Sequence, residues 1–198
     1  MKGARRPRRP QAPVRARSGV CGMQKVEYGI PLIHKMGYKE EFIKFMVESG
    51  VLTFGDFVTK SGRNTPYFIN TGNYKTGAQA HRLGQFYASC IKEHMDAGEI
   101  DPETKVLFGP AYKGIPLAVA TSISLAAEHG MDVSYCFNRK EKKDHGEGGN
   151  MVGYKLQDGD KVLITEDVIT AGTAVRETLP LLFGAADVKV EGLIVSVD

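Results

Sequence analysis

The segment Lys161-Val-Leu-Ile-Thr-Glu-Asp-Val-Ile-Thr-Ala-Gly-Thr-Ala-Val-Arg176 says more about the fold than any other stretch of the chain. Its apolar start predicts a buried β-strand over Lys161–Thr165, which ends at two adjacent carboxylates, Glu166 and Asp167. Small and hydroxyl residues follow, and a helical pattern then begins near Thr173. This order predicts one unit of an α/β sheet, in which ligands bind beyond the carboxyl ends of the strands.

The turn after the two carboxylates is suited to binding a phosphate. Successive backbone N–H groups over Thr170–Ala174, close to a helix N-terminus, form an anion-binding nest, and Ala171 and Gly172 let a phosphate approach them. Glu166 and Asp167 would repel a phosphate in direct contact, so we expect them to accept hydrogen bonds from the hydroxyls of a ribose 5-phosphate. An Asp at a helix N-cap is a simpler explanation, but it accounts for only one of the two acids.

Strand and helix patterns alternate along the rest of the chain. Helical patterns run from Tyr38 to Gly50, over Ala78–Met95, over Ile115–His129 and around Thr173–Phe183. Extended patterns occupy Val51–Phe57, Tyr67–Asn70, Lys105–Gly109, Val133–Phe137, Lys161–Thr165 and Val188–Val197. We therefore predict an α/β fold with a mainly parallel sheet, helices on both faces and a small β-rich lobe near the N-terminus.

Two further segments offer cations beside glycines. Asn138-Arg-Lys-Glu-Lys-Lys-Asp-His-Gly-Glu-Gly-Gly-Asn150 has no periodicity, and its composition fits either a lid that binds pyrophosphate or a solvated surface loop. Phe108-Gly-Pro-Ala-Tyr-Lys-Gly-Ile-Pro116 joins a strand to a helix, and Lys113 either binds a second anion there or is an ordinary surface lysine.

These segments resemble the orotate phosphoribosyltransferases, a family of type I phosphoribosyltransferases. Lys161–Arg176 is similar to the family's motif for phosphoribosyl pyrophosphate (PRPP), in which Asp is frequent at the position of Glu166. Tyr135–Asn150 is similar to its catalytic loop, and Phe108–Pro116 is similar to its pyrophosphate-binding turn. Thr59–Asn70 is similar to its base-covering hood, in which two aromatic residues are common where this chain has Phe68 and Ile69.

The resemblance implies the type I phosphoribosyltransferase fold and transfer of the phosphoribosyl group from PRPP to orotate. The implied PRPP-binding residues are Lys60, Tyr112, Lys113, Arg139, Lys140, Lys143, His145, Glu166, Asp167, Val168, Ile169, Thr170, Ala171, Gly172, Thr173 and Ala174. The implied catalytic residues are Lys143, His145 and Asp167, and the implied orotate-binding residues are Phe68, Ile69 and Thr170. It also implies Mg²⁺ held by the substrates rather than directly by protein ligands, and a homodimer in which the loop Arg139–Asn150 reaches the neighbouring site.

Two alternatives stay open at this point. One is a purine or uracil phosphoribosyltransferase on the same scaffold. The other is a non-catalytic regulator that senses PRPP and uses a basic tail to bind nucleic acid, although the intact loop over Lys143–His145 argues against it.

Composition sets the outer limits. The 198 residues suit one domain, and no apolar run approaches the length of a membrane span. Residues 1–35 hold nine of the 26 Lys and Arg and one of the 23 Asp and Glu, so we expect a basic, disordered extension or a later start at Met23 or Met36. The phosphoribosyltransferase domain is expected over residues 36–198, without the carboxyl-terminal end in which family members carry an orotate-binding Arg. Three scattered cysteines, Cys21, Cys90 and Cys136, favour reduced thiols and a cytoplasmic protein.

Overall fold

The computed structural model describes residues 24–25, 31–33, 39–59, 62–143, 149–169 and 172–197. The strands in this part of the chain are β1 Gln24–Lys25, β2 Pro31–Ile33, β3 Leu52–Val58, β4 Asn64–Ile69, β5 Val106–Gly109, β6 Ser134–Lys143, β7 Gly149–Gly153, β8 Lys161–Val168 and β9 Lys189–Val197. The helices are α1 Lys39–Glu48, α2 Gly77–Asp96, α3 Gly114–His129 and α4 Thr173–Ala185, with a 3₁₀ helix at Thr71–Asn73.

Within the described residues, the main sheet has seven strands in the order β1-β2-β9-β8-β5-β6-β7. The five inner strands, β2, β9, β8, β5 and β6, are parallel to one another. The two edge strands, β1 and β7, pair antiparallel with β2 and β6. The predicted α/β fold with a mainly parallel sheet is confirmed. Because β8 and β5 are adjacent and parallel, the segments that follow them meet at one edge of the sheet.

Helices cover both faces of this sheet, as predicted. Leu107, Leu163 and Ile194 point to the face covered by α2 and α3. Phe108 and Ile164, each one position further along its strand, belong to the core beneath α4. This alternation follows from the two-residue period of strand side chains.

The helices α2 and α3 approach each other closely where they cross. A Cβ atom on Gly84 of α2 would lie 2.5 Å from the backbone oxygen of Ala120 in α3. The absence of a side chain at Gly84 therefore sets the distance between the two helices. Within the described residues, none of the helices is long and apolar enough to cross a membrane.

The charged segment 138–150 differs from the prediction. It was expected to lack regular structure, but β6 continues to Lys143, and β7 begins at Gly149 and pairs with it antiparallel. Cross-strand backbone hydrogen bonds do not require apolar side chains, so a polar hairpin leaves no periodic pattern in the sequence. Residues 144–148, which include His145, lie outside the described part of the chain.

The strand β8 is also longer than predicted. It was expected to end at Thr165, before the two acids, yet it runs through both to Val168. Pairing with β9 explains the extension, because Glu166 lies opposite Val195 and Val168 lies opposite Val197. The acids therefore lie on a rigid strand rather than in a loop.

The small lobe is the antiparallel hairpin of β3 and β4, which form a two-stranded sheet of their own. Most of its side chains are exposed, among them Phe54 and Val58. The division of the chain between residues 35 and 36 stays a prediction. On its amino-terminal side, the structure describes only β1 and β2, which extend the main sheet next to β9.

Candidate active site

Three residues from distant parts of the chain meet beside the end of β8. The Oδ2 atom of Asp167 accepts hydrogen bonds from the hydroxyl of Thr71 and, at 3.0 Å, from Nζ of Lys113. The same Nζ atom lies 2.9 Å from Oγ1 of Thr71 and donates to it. The predicted anion-binding lysine and the predicted ribose-binding acid are thus in direct contact.

The two adjacent acids have opposite electrostatic environments. Burial, together with a hydrogen bond to Asp167, raises the pKa of Glu166 from 4.5 to about 7. Burial acts in the same direction on Asp167, but hydrogen bonds from Thr71 and Lys113 outweigh it and lower the pKa of that carboxyl. Because opposite shifts separate the two titrations, Asp167 carries the negative charge of the pair near neutral pH while Glu166 is partly protonated.

A buried tyrosine holds the backbone beneath these acids. The hydroxyl of Tyr87, on α2, donates to the backbone oxygen of Glu166 at 2.7 Å and lies 2.8 Å from Oγ of Ser196 on β9. Burial raises the pKa of Tyr87, so the phenol stays protonated. The ends of β8 and β9 are therefore fixed against α2.

The turn between β5 and α3 folds tightly onto the same edge of the sheet. A Cβ atom on Gly109 would overlap the backbone oxygen of Gly114. One on Gly114 would lie 2.6 Å from Cδ of Pro110 and 2.8 Å from the backbone oxygen of Thr165. Glycine at both positions is what allows the turn to pack against the end of β8.

The same turn is tied to the base of the β6–β7 hairpin. The backbone N–H of Ala111 donates to Oδ1 of Asn138 at 2.8 Å, and the peptide bond between Ala111 and Tyr112 is cis. The side chain of Tyr112 is 67% exposed, as a residue that meets a ligand from solution needs to be. Asn138 thus connects the two segments predicted to bind pyrophosphate.

The start of α4 exposes backbone to solvent. Gly172, its N-cap residue, has a left-handed conformation with φ of 67° and no side chain with which to cap the helix. The first N–H groups of a helix lack partners within it, and here Thr173 and Ala174 are exposed. This geometry suits the predicted anion nest. Thr170 and Ala171, from the same predicted nest, lie outside the described residues.

Other predicted site residues within the described part of the chain lie on β4 and β6. Phe68 is half-exposed on β4 and packs against Phe57 with ring centres 5.6 Å apart, and the neighbouring Ile69 is half-buried. Arg139 is half-buried on β6, where its Nη1 atom is shielded from solvent without a hydrogen-bond partner among the described residues, and Lys140 is exposed. Lys143 ends β6, and Lys60 lies outside the described residues.

Comparison with known proteins identifies the family. A sequence model of the phosphoribosyl transferase domain matches residues 70–198. The orotate phosphoribosyltransferase of Clostridium beijerinckii is 65% identical over 161 residues, which cover 81% of this chain and 70% of that protein. The chain belongs to the orotate phosphoribosyltransferase family. The family member from Bifidobacterium adolescentis is 56% identical over 157 residues, covering 79% of this chain and 68% of its own.

Solved structures agree with this placement. The orotate phosphoribosyltransferase of Francisella tularensis has a TM-score of 0.68 and 41% identity, covering 79% of this chain and 68% of its own. The adenine phosphoribosyltransferase of Leishmania donovani has a TM-score of 0.52 but only 14% identity, covering 83% of this chain and 70% of its own, so the likeness is one of fold. The predicted type I phosphoribosyltransferase fold and the predicted family are both confirmed.

Sequence reasoning missed two residues of this orotate phosphoribosyltransferase site. Thr71 and Tyr87 hold the acids, but neither belongs to a motif that distinguishes it from the other threonines and tyrosines of the chain. The available signal for Thr71 is its place just after β4, next to the predicted hood.

Proposed function

We infer that the chain transfers the phosphoribosyl group of PRPP to orotate, which yields orotidine 5′-monophosphate and pyrophosphate for pyrimidine biosynthesis. The observation that carries this function is the contact of Asp167 with Lys113 at the carboxyl edge of the sheet, next to the N-terminus of α4. Membership of the orotate phosphoribosyltransferase family supports orotate as the acceptor.

The site residues divide the substrate by its chemistry. The N–H groups from Gly172 to Ala174 bind the 5-phosphate, while Asp167 and Glu166 accept hydrogen bonds from the ribose hydroxyls. Lys113 and Tyr112 bind the pyrophosphate, and the exposed ring of Phe68 lies against the base, beside Ile69. Lys60, Val168, Ile169, Thr170 and Ala171 complete the proposed contacts.

The reaction requires positioned charge rather than a protein nucleophile. As the bond from C1 of the ribose to pyrophosphate breaks, the sugar gains positive charge and the departing pyrophosphate takes the electron pair. N1 of orotate then forms the new bond to C1 and loses its proton, which the departing pyrophosphate or water takes up. Arg139, Lys140, Lys143 and His145 stabilise the leaving group, and closure of the β6–β7 hairpin keeps water from the sugar cation.

The site fits a magnesium ion that is held by the substrate rather than directly by protein ligands. Asp167 and Glu166 accept hydrogen bonds from the ribose hydroxyls, and Mg²⁺, which prefers oxygen ligands and keeps several waters, would be bound by the hydroxyl and pyrophosphate oxygens of PRPP. When bound, Mg²⁺ would neutralise charge on the pyrophosphate.

We also propose a homodimer in the cytoplasm, formed by the phosphoribosyltransferase domain over residues 36–198. The exposed apolar side chains of the β3–β4 hairpin, such as Phe54 and Val58, support a subunit contact. The strand β7 lies at an edge of the sheet, and we propose that the loop Arg139–Asn150 reaches the neighbouring site from there. Cys90 and Cys136 are both buried, and we propose that they stay reduced, as in a reducing compartment.

A product assay tests the activity and its acceptor. The chain is incubated with PRPP and Mg²⁺ and with orotate, uracil, adenine or hypoxanthine in turn, and nucleotide and pyrophosphate are measured. We expect turnover with orotate and with none of the other three bases. Robust turnover of another base would show a different phosphoribosyltransferase, and salt-sensitive nucleic-acid binding without any turnover would show a regulator.

A further inference from the structure

Thr71 lies in a short segment that is firmly attached to the small lobe. The segment follows β4 directly, and the backbone N–H of Asn70 donates to the backbone oxygen of Val51 at 2.8 Å. Nδ2 of Asn73 donates to the backbone oxygen of Gly50 at 2.6 Å. These bonds on either side of Thr71 fix its backbone relative to β3. The position and direction of its side chain are therefore well defined.

The hydroxyl of Thr71 uses both of its hydrogen-bonding capacities within the site. It donates to Oδ2 of Asp167 and accepts from Nζ of Lys113. The residue is 9% exposed, so water competes little for either bond. A hydroxyl group can donate and accept at once, whereas an apolar side chain of the same shape can do neither.

We propose that Thr71 is a positioning residue for phosphoribosyl transfer, and that its hydroxyl holds the carboxylate of Asp167 where the ribose hydroxyls of PRPP meet it and the ammonium of Lys113 where the pyrophosphate meets it. The role rests on the function proposed above. It is a contribution that neither the sequence motifs nor the two charged residues supply by themselves.

The hydrogen bonds among Thr71, Lys113 and Asp167 indicate how Thr71 acts when PRPP binds. Before PRPP arrives, Lys113 is paired with Asp167. When the ammonium turns to a pyrophosphate oxygen, Asp167 loses that hydrogen bond and keeps the one from Thr71. One carboxylate oxygen therefore stays fixed, and the other stays directed at the ribose hydroxyls.

Kinetics of two substitutions at Thr71 test this role. Thr71→Val removes the hydroxyl and keeps the shape, whereas Thr71→Ser keeps the hydroxyl. A hydrogen bond to a charged group contributes enough that we expect Thr71→Val to lower kcat/KM for PRPP about 10- to 100-fold. Thr71→Ser should stay within about threefold of the wild type, and the KM for orotate should change little in both variants.

The matched control is Thr121→Val. Thr121 is fully buried in α3, and its hydroxyl has no hydrogen-bond partner among the described residues. The same chemical change there should leave kcat/KM for PRPP unaltered. Should Thr71→Val fail to fold, Thr71→Ala removes the same hydroxyl without placing an extra methyl group beside the charges.

A second measurement needs no turnover. Carbon-detected NMR of labelled aspartate side chains follows the titration of Asp167 in the absence of substrate. The titratable groups that face it are Glu166 on its own strand, Lys113 from the turn before α3 and Tyr87 of α2. All titrations are made with Glu166→Gln present, because this substitution removes the carboxyl that is coupled to Asp167. Relative to Glu166→Gln alone, adding Thr71→Val should raise the pKa of Asp167, whereas adding Thr71→Ser should not.

The outcomes are separable from the proposed function. A wild-type chain that transfers nothing would remove the function, while the Asp167 titration and calorimetric binding of PRPP would still decide the role of Thr71. An unchanged titration in Thr71→Val, or unchanged kcat/KM or affinity for PRPP, would overturn the proposal.

Discussion

At the residue scale, two neighbouring acids on one strand have different tasks because they face different surroundings. Glu166 is 8% exposed, and burial favours its neutral form. Asp167 is offered a hydroxyl and an ammonium, which favour its ionised form. The phosphates of PRPP are therefore near one fully ionised carboxylate, that of Asp167 beside Lys113, instead of two. This limits the electrostatic repulsion between the acids and the substrate.

Glu166 should make the stability of the chain depend on pH. Its pKa is 4.5 when unfolded and about 7 when folded, so the contribution of its neutral form is complete below pH 4.5 and is lost as the pH rises to about 7. The lowered pKa of Asp167 acts below pH 3.8, outside this window.

We therefore expect Glu166→Gln to gain stability relative to the wild type between pH 4.5 and 7, by up to about 3 kcal/mol. Urea denaturation at several pH values measures the difference. The exposed Glu40→Gln on α1 is the control for the chemical change itself. A difference between Glu166→Gln and the wild type that stays constant from pH 4.5 to 7 would show that the buried carboxyl does not titrate in this range.

The sequence was sufficient for the charged residues of the site and insufficient for the residues that hold them. Glu166, Asp167 and Lys113 could be found because charge at the end of a predicted strand is unusual and chemically informative. Thr71 and Tyr87 act through contacts with residues 96 and 79 positions away, which no local pattern encodes.

At the element scale, the helices of the main domain followed their predictions closely, whereas the strand β8 and the polar hairpin extended beyond theirs. The helix α2 was predicted over Ala78–Met95 and runs over Gly77–Asp96, because its apolar residues face one core. The strands β6 and β7 begin their pairing over apolar residues, with Phe137 opposite Val152, but the extension of β6 from Asn138 to Lys143 is polar, and its backbone pairing leaves no periodic pattern in the sequence.

The crossing of α2 and α3 gives a test at this scale. In Gly84→Ala the new Cβ would lie 2.5 Å from the backbone oxygen of Ala120, so the helices must move apart. We expect a loss of about 1–3 kcal/mol in the free energy of unfolding, despite the better helix propensity of alanine.

Gly77→Ala, in the same helix, is the matched control. Nothing lies within 4 Å of a Cβ atom at that position. The substitution should leave stability unchanged or raise it by up to about 1 kcal/mol. Chemical denaturation of both variants measures the contrast. If Gly84→Ala were as stable as Gly77→Ala, the close contact between the helices would be absent.

At the scale of the whole molecule, the β6–β7 hairpin and the acidic pair belong to different strands of one sheet, with β5 between them. In the proposed homodimer, each hairpin serves the site of its neighbour. A complete site then needs Lys143 from one subunit and Asp167 from the other.

Mixing two inactive variants tests this arrangement. Lys143→Ala and Asp167→Asn are each expected to lose most activity alone, and random subunit exchange makes half of the dimers mixed. Each mixed dimer has one complete site if the hairpin reaches across, so activity should recover to about a quarter of the wild type. Each variant taken through the exchange alone is the control, and no recovery in the mixture would place the hairpin over its own subunit's site.

The separation of β3 and β4 from the main sheet also bears on how such a scaffold could diversify. The two strands pair only with each other within the described residues. Residues of the hairpin can therefore be replaced without loss of a backbone hydrogen bond between strands of the main sheet. Most of the residues proposed to bind the sugar phosphate lie next to β5, β8 and α4, outside this hairpin. A change of acceptor base could therefore be inherited as a replacement within β3 and β4, provided that Lys60 and Thr71, which serve PRPP, are kept.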